Sequence, residues 1–206
     1  MLDPKEESKF VELKNKCREL KVPAPPEIMI GLQVHEGGVL TFDDVQRGHS
    51  WTRNFYNMMF SSLSGADGDA SGVFGAGYLS SKNPGGSVYS SDTYIANQFG
   101  TYQNHFVVGY SLGWHNGAAG NSGGIVLGTS DTAFSTAHYA MQALIAHGNG
   151  ASQLFYQAMS FPTVAYTSGT KTWKTTWVRV YNNNSGGSIT VKETGIGLYI
   201  GGWNYL

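Results

Sequence analysis

Residues 174–200 read KTTWVRVYNNNSGGSITVKETGIGLYI: a strand, a polar turn, a second strand, a glycine-marked kink and a last strand. Val178 and Val180 fall on one face, and Trp177, Arg179 and Tyr181 on the other, the period-two pattern of a half-buried sheet. Asn182 to Gly187 supplies residues that tolerate left-handed backbone, so the chain can reverse there. Nothing in the stretch is chemically reactive. The chain ends as a sheet built for shape, and a β-sandwich is the fold it points to.

Composition agrees with that reading. The 206 residues fit one β domain of ordinary size with a small N-terminal appendage. Charged residues make up only 13% against roughly a quarter in an average protein. With 28 Gly, 12 Tyr and 10 Phe, the surface has to be solvated by Ser, Thr, Asn and Gly. A net charge of -1 gives no steering field for nucleic acid or an anionic membrane. Cys17 is the one cysteine, which rules out an internal disulfide framework. No apolar run approaches bilayer-spanning length, and the charged N-terminus lacks the apolar centre of a signal peptide, so export by such a signal is not expected.

Charge is concentrated at the N-terminus. Asp3 to Lys21 holds 11 of the 27 charged residues. Asp3-Pro4-Lys5-Glu6 reads as a helix start, with Asp3 as N-cap and Glu6 placed for a capping box. Phe10, Leu13, Cys17 and Leu20 then follow at spacings of three, four and three, a narrow apolar seam. Two heptads are too short to hold as a helix alone in water, so this one needs its own domain, a second copy or another protein to lie against. Pro23-Ala-Pro-Pro26 ends the helix as a stiff extended spacer, which favours an arm that reaches away. The division expected is therefore an arm over 1–26 and a body over 27–206.

The body opens with Ile28, Ile30, Leu32 and Val34 on one face of a strand, a turn at Glu36-Gly37-Gly38 and a return strand over Val39-Leu40-Thr41-Phe42. Ser50 can cap a second helix with Trp51, Phe55, Met58, Met59 and Leu63 on one face and Gly65 closing it, a face read as core. His105 to Tyr110 and Gly124 to Gly128 read as strands. Phe134, Ala137, Met141, Leu144 and Ile145 have helical spacing, although the segment also suits an extended chain. Gly148-Asn149-Gly150 is a turn, and Leu154 to Phe161 alternates as a strand. The order predicts a mainly β protein: a β-sandwich or jelly-roll-like body, an N-terminal helical arm and one or two short helices.

Three stretches carry a family resemblance: Ser50-Trp-Thr-Arg-Asn-Phe-Tyr-Asn57; Gly124-Ile-Val-Leu-Gly-Thr129 with Asp131 to Gly150; and Asn183 to Glu193 running into Ile196-Gly-Leu-Tyr199. They resemble a family of tailed-bacteriophage virion proteins. In that family the last motif usually runs unbroken as Glu-Ile-Gly-Leu-Tyr. Here Glu193-Thr-Gly-Ile-Gly-Leu-Tyr199 is two residues longer, so a bulge is expected in the final strand. The resemblance covers about two-thirds of the chain and leaves out the N-terminal arm. It implies a virion component of the capsid surface, neck or tail, and no reaction.

Candidate chemical sites are few. Asp67, Asp69 and Ser71, followed by Gly72, match the first half of a calcium loop. The twelfth position is Tyr78, not the bidentate Glu such a loop needs, so the stretch reads as a Gly/Asp loop without a metal. The six His residues form no HxxxH or HExxH pair; His138 and His147 read as polar fillers at strand ends. No Gly-x-Ser-x-Gly elbow, phosphate-binding Gly-x-x-x-x-Gly-Lys loop or Rossmann fingerprint is present. Asp43 and Asp44 are adjacent and would face opposite sides of a strand, so they cannot flank one bond as a glycosidase pair does. The sequence argues against catalysis and against a cofactor.

Two classes of function remain. One is a structural virion protein that binds neighbouring capsid, neck or tail subunits through Phe10, Leu13, Cys17 and Leu20. A homo-oligomer is expected, with a trimer by analogy to other sandwich-type virion proteins. It would be assembled in the host cytoplasm and reside in the virion. The other is a receptor- or carbohydrate-binding module using Tyr78, Tyr89, Tyr94, Tyr102 and Trp114 on Gly-rich loops. Those rings serve equally well in protein contacts or in a core.

Overall fold

The computed structural model describes residues 4–22, 24, 27–48, 51–57, 81–89, 123–160, 163–200 and 203–205. It divides into two compact units, Met1–Ser50 and Trp51–Leu206.

The first unit is a helix, α1 (Pro4–Glu19), and a hairpin, β1 (Met29–Glu36) with β2 (Val39–Arg47). The helix starts on the proline, as expected; the N-cap assigned to Asp3 lies outside the described residues. It closes with Lys21 in left-handed backbone (φ 55), the Val22 N–H donating to the Cys17 carbonyl at 3.0 Å and the Lys21 N–H to the Arg18 carbonyl at 3.2 Å. That pair of bonds satisfies the last carbonyls of the helix without the glycine usual at this position. At the hairpin tip Gly37 (φ 56) and Gly38 (φ 84) supply the two positive φ values that a two-residue turn of matching twist demands. Register shifts between Val34 and His35, so a β-bulge lies in this hairpin. Thr41, opposite the shift, donates its hydroxyl to the Val34 carbonyl at 3.3 Å.

The helix is tied to the base of that hairpin. The Arg47 guanidinium sits 4.0 Å from the centre of the Phe10 ring and reaches Glu7 at 2.9 Å and Glu27 at 3.2 Å. Lys14 meets Glu27 at 2.6 Å. The sequence placed a boundary between residues 26 and 27 and favoured an arm reaching away. The compact unit instead runs on to Ser50, because helix and hairpin share these ion pairs and one cation–ring contact.

The second unit is built round β5 (Gly124–Gly128). Ahead of it come a helical turn at residues 53–57 and a small ribbon, β3 (Ser81–Lys82) with β4 (Val88–Tyr89). After it come β6 (Phe155–Tyr156), β7 (Thr163–Thr167), β8 (Thr172–Thr176), β9 (Tyr181–Asn182), β10 (Glu193–Ile200) and β11 (Trp203–Tyr205). Antiparallel pairing orders one sheet as β11-β10-β5, while β6-β9 and β7-β8 are two-stranded ribbons. Val126, Leu127, Ile145, Leu154 and Tyr156 form the buried core, with Met141, Tyr181, Ile189 and Val191 packed against it. Among the described residues the protein is mainly β, with one long helix.

Several expectations change. The final strand has no bulge: Glu193 to Gly197 pairs with Gly128 to Gly124 in unbroken register, so the two extra residues simply lengthen the ladder. Residues 131–147 are irregular, not helical. The Ile145 N–H bonds to the Leu127 carbonyl and the Thr129 N–H to the Ala143 carbonyl, both 2.9 Å, so residues 143–145 run antiparallel beside β5. Of the stretch read as a strand over 154–161, Phe155 and Tyr156 are the described residues that enter a ladder, Leu154 makes a single bridge to His147, and Leu154, Tyr156 and Met159 are buried. The second helix holds at residues 53–57 and leaves the described residues after Asn57; His105 to Tyr110 lies wholly outside them.

Candidate functional site

The alternation read at Trp177 to Tyr181 is present, and it points a charge inward. Arg179 is buried (7% exposed), whereas Val178 and Val180 face solvent. Its Nε donates to the Gln157 carbonyl at 3.0 Å, and its Nη1 to the carbonyls of Gly123 at 2.7 Å and Ile125 at 3.0 Å. The guanidinium lies 5.0 Å from the Tyr156 ring centre. Burial pulls its pKa down from the ordinary arginine value, with the two tyrosines beside it acting the other way.

Tyr156 is fully buried; its hydroxyl lies 2.8 Å from the Ile145 carbonyl and 3.2 Å from that of Leu127, and can accept from the Leu127 N–H at 3.4 Å. The Tyr156 N–H donates to His147 Nδ1 at 3.1 Å, which places the ring proton of the neutral imidazole on Nε2. Tyr181 packs edge-on to Tyr156 at 5.1 Å and donates to the Ile125 carbonyl at 3.1 Å. Burial pushes both phenols up from the usual tyrosine value. Every hydrogen bond just named ends on backbone. Through Ile125 and Leu127 the group ties β5 to the segments round Ile145, Tyr156 and Arg179.

Two of the stretches that carried the family resemblance meet at this strand, and the first reaches the second at Thr136. Gly124 to Gly128 pairs directly with Glu193 to Gly197. The Glu193 carboxylate accepts from the Gln142 N–H at 2.9 Å and the Ala143 N–H at 3.2 Å, holding the turn that leads into Ile145. Trp51 and Phe55 stack at 3.8 Å, and the Arg53 N–H donates to the Thr136 carbonyl at 2.7 Å. Asn54, buried, bonds both sides of the Lys82 backbone at 2.8 and 3.0 Å, as a neighbouring strand would. These residues build the framework.

Surfaces are the other candidates. On α1, Glu7, Phe10, Lys14 and Cys17 are half-buried, whereas Leu13 (44%) and Leu20 (72%) are exposed. The four seam residues therefore split: Phe10 and Cys17 lie on the half-buried face, Leu13 and Leu20 beside it. Val11, Val22, Val34, Val39, Leu40, Phe42 and Val45 of the same unit are exposed too. No described residue of this unit is buried.

In the second unit, the β7–β8 ribbon is exposed along almost its whole length. Tyr166 and Trp173 pair across it with ring centres 6.2 Å apart, and the indole N–H donates to the Thr175 hydroxyl at 3.2 Å. Sequence reading passed this pair over because its aromatic candidates were sought on Gly-rich loops. Tyr89 lies in β4 opposite Ser81. Tyr78, Tyr94, Tyr102, Trp114, Asp67, Asp69 and Ser71 lie outside the described residues.

Among the described residues no three His, Cys, Asp or Glu side chains gather as a metal site would require, and no helix is long and apolar enough to cross a membrane. No family model, curated protein or solved structure matches the chain.

Proposed function

We propose that this protein is a non-enzymatic structural component of a tailed-phage virion, binding neighbouring capsid, neck or tail subunits. The observation that carries this reading is the unfinished first unit. It exposes ten large apolar side chains, Met29 and the nine named above, and buries none of its described residues. A unit this small gains little stability from so open an arrangement, and apolar side chains left exposed side by side, as at the Val34–Phe42 pair, mark an interaction site. In this reading the second unit is a sandwich- or jelly-roll-like body whose buried polar groups serve its own backbone. Partners are other virion proteins and copies of the chain itself, with neither nucleic acid nor membrane involved. Assembly takes place in the host cytoplasm and the product resides in the virion. The resemblance of Ser50–Asn57, Gly124–Gly150 and Asn183–Tyr199 to virion proteins supports the same assignment.

The test is physical association with particles. Density-purified particles from the producing culture should contain the wild-type chain at fixed stoichiometry. A Leu13→Asp/Leu20→Asp variant, folded by circular dichroism, should be lost from them. Recovery of the wild-type chain only in the particle-free fraction would overturn the proposal.

A second reading, a receptor- or carbohydrate-binding module, is favoured by one feature. The Tyr166–Trp173 pair offers an exposed ring surface, with the indole fixed by Thr175 and hydroxyls along both strands. Sugars stack on such faces. Quenching of Trp fluorescence by host surface polysaccharide, lost in Trp173→Ala, would support it; wild-type quenching in Trp173→Ala would remove it.

A further inference from the structure

We infer that the exposed flank of α1 docks on the β1–β2 hairpin of a second copy of this chain. The inference rests on reading the first unit as a contact surface and adds the identity of the partner. Lys9, Leu13 and Lys16 of α1, and Leu20 just past its end with its N–H still bonded to the Lys16 carbonyl, recur at steps of four, three and four, so they follow one stripe, and all four are exposed. This stripe lies beside the half-buried Glu7, Phe10, Lys14 and Cys17, and its side chains are open to solvent. Its two leucines alternate with two lysines, and Lys16 has only a 4.0 Å approach to the equally exposed Glu12.

The hairpin offers the complementary pattern. Val34 pairs with Phe42 across the ladder, and the next pair on the same face is Leu32 with Asp44. Beyond the bulge comes Glu36 opposite Val39. Val34, Phe42, Val39, Asp44 and Glu36 are all exposed. The apolar centre is thus bracketed by carboxylates about 13 Å apart along the strand direction, taking about 3.3 Å per residue. The lysines bracketing Leu13 are about 10 Å apart at 1.5 Å per residue, and flexible Lys side chains span the remainder. Apolar matches apolar and the charges are opposite in sign.

A two-stranded ribbon is marginal until something covers a face, which gives the hairpin a reason to accept a helix. The helix of one copy and the hairpin of another are different surfaces, so every copy carries one of each. A pair of copies can therefore exchange two such contacts about a two-fold axis.

Light scattering on the full-length chain tests this. The wild type should have at least twice the monomer mass of 22.2 kDa. A helix variant, Leu13→Asp/Leu20→Asp, and a hairpin variant, Val34→Asp/Phe42→Asp, should each be monomeric while retaining the helical circular dichroism signal. Mixed, they should regain a species of two chains, because each supplies the surface the other lacks. Lys9→Glu/Lys16→Glu, which touches only exposed groups, should weaken association at low salt. Its difference from wild type should shrink near 1 M salt, where charges are screened beyond about 3 Å. A monomeric wild type, an oligomeric hairpin variant, or variants that fail to combine would each overturn the inference. A wild-type monomer that still enters particles would leave the virion assignment standing. An oligomer absent from particles would sink that assignment alone.

Discussion

Gly128 and Glu193 face each other across the β5–β10 ladder, and the Glu193 carboxylate fills the space that a side chain at Gly128 would need. A Cβ placed there would lie 2.5 Å from Glu193 Oε2 and 2.8 Å from the Ala143 carbonyl oxygen. Neither can retreat easily, because the carboxylate holds the amides of Gln142 and Ala143 and the carbonyl belongs to that same turn. Gly128→Ala should therefore destabilise the protein by about 1–3 kcal/mol, the usual cost of overpacking. Urea midpoints measure this, and an unchanged midpoint would show that the turn gives way freely.

Tyr156→Phe keeps the ring and removes one oxygen. The carbonyls of Ile145 and Leu127 then lose a donor inside the core. An unsatisfied buried polar group costs about 1–3 kcal/mol, so a loss in that range is expected with fluorescence and dichroism transitions still coincident. A gain in stability would mean that the cost of dehydrating the hydroxyl exceeds the value of its bonds.

Alkaline pH should weaken the fold through the same pair of rings. Tyr156 and Tyr181 are held above the ordinary tyrosine value of 10.0, mainly by burial. Above pH 10 the unfolded chain gives up phenol protons that the folded chain retains. The folded state then binds more protons, so unfolding becomes easier as pH rises, and the contribution is intact below pH 10. Spectrophotometric titration should show two tyrosines ionising only at or after unfolding. If all the tyrosines titrate together near 10 with the fold intact, the burial argument fails.

How far the sequence could be read follows from the range of its interactions. The Gly37-Gly38 turn, the helix beginning at Pro4 and the alternation at Val178 to Tyr181 are local, and local chemistry decides them. Residues 134–145 stayed open between helix and extended chain, because helical spacing of apolar side chains is only one way to satisfy them. The partner that decided the matter was the β5 backbone, which the spacing of side chains within the segment does not register. Phe10 and Leu13 looked equivalent on a helical seam. Arg47, distant in sequence, stacks on one and leaves the other in solvent. Arg179 did leave a trace: no acidic residue occurs between Asp131 and Glu193. A cation on the aromatic face of a strand there could find only carbonyls and rings nearby in sequence. The Tyr166–Trp173 pair was visible as composition, but its exposure depends on how the rest of the chain packs round β7–β8, which pattern alone does not supply.

The seam makes a prediction in which two neighbouring residues behave differently. Phe10→Ala removes the ring beneath the Arg47 guanidinium and should loosen the helix from its hairpin, at about 0.5–2 kcal/mol for the cation–ring contact alone. Leu13→Ala, on an exposed position, should stay within about 0.5 kcal/mol of wild type. Hydrogen exchange over residues 7–19 separates the two, with faster exchange in the Phe10 variant only. Equal protection in both would mean that Arg47 holds the helix through Glu7 without help from the ring.

Arg179 offers the sharpest test of whether shape or charge holds β5 in place. Its planar fork reaches the carbonyls of Gly123, Ile125 and Gln157 at once. Lysine carries the same charge on a single nitrogen and cannot span three acceptors in those directions. Arg179→Lys should therefore lose about 2–4 kcal/mol, nearly as much as Arg179→Met, since both strand carbonyls that the fork reaches together. Denaturant midpoints for the two variants decide the matter. If lysine restored most of the stability that methionine loses, a point charge would be sufficient and the fork geometry incidental. If the two fall together, the guanidinium is a backbone clamp, and the inward-facing charge is explained by the carbonyls it ties together.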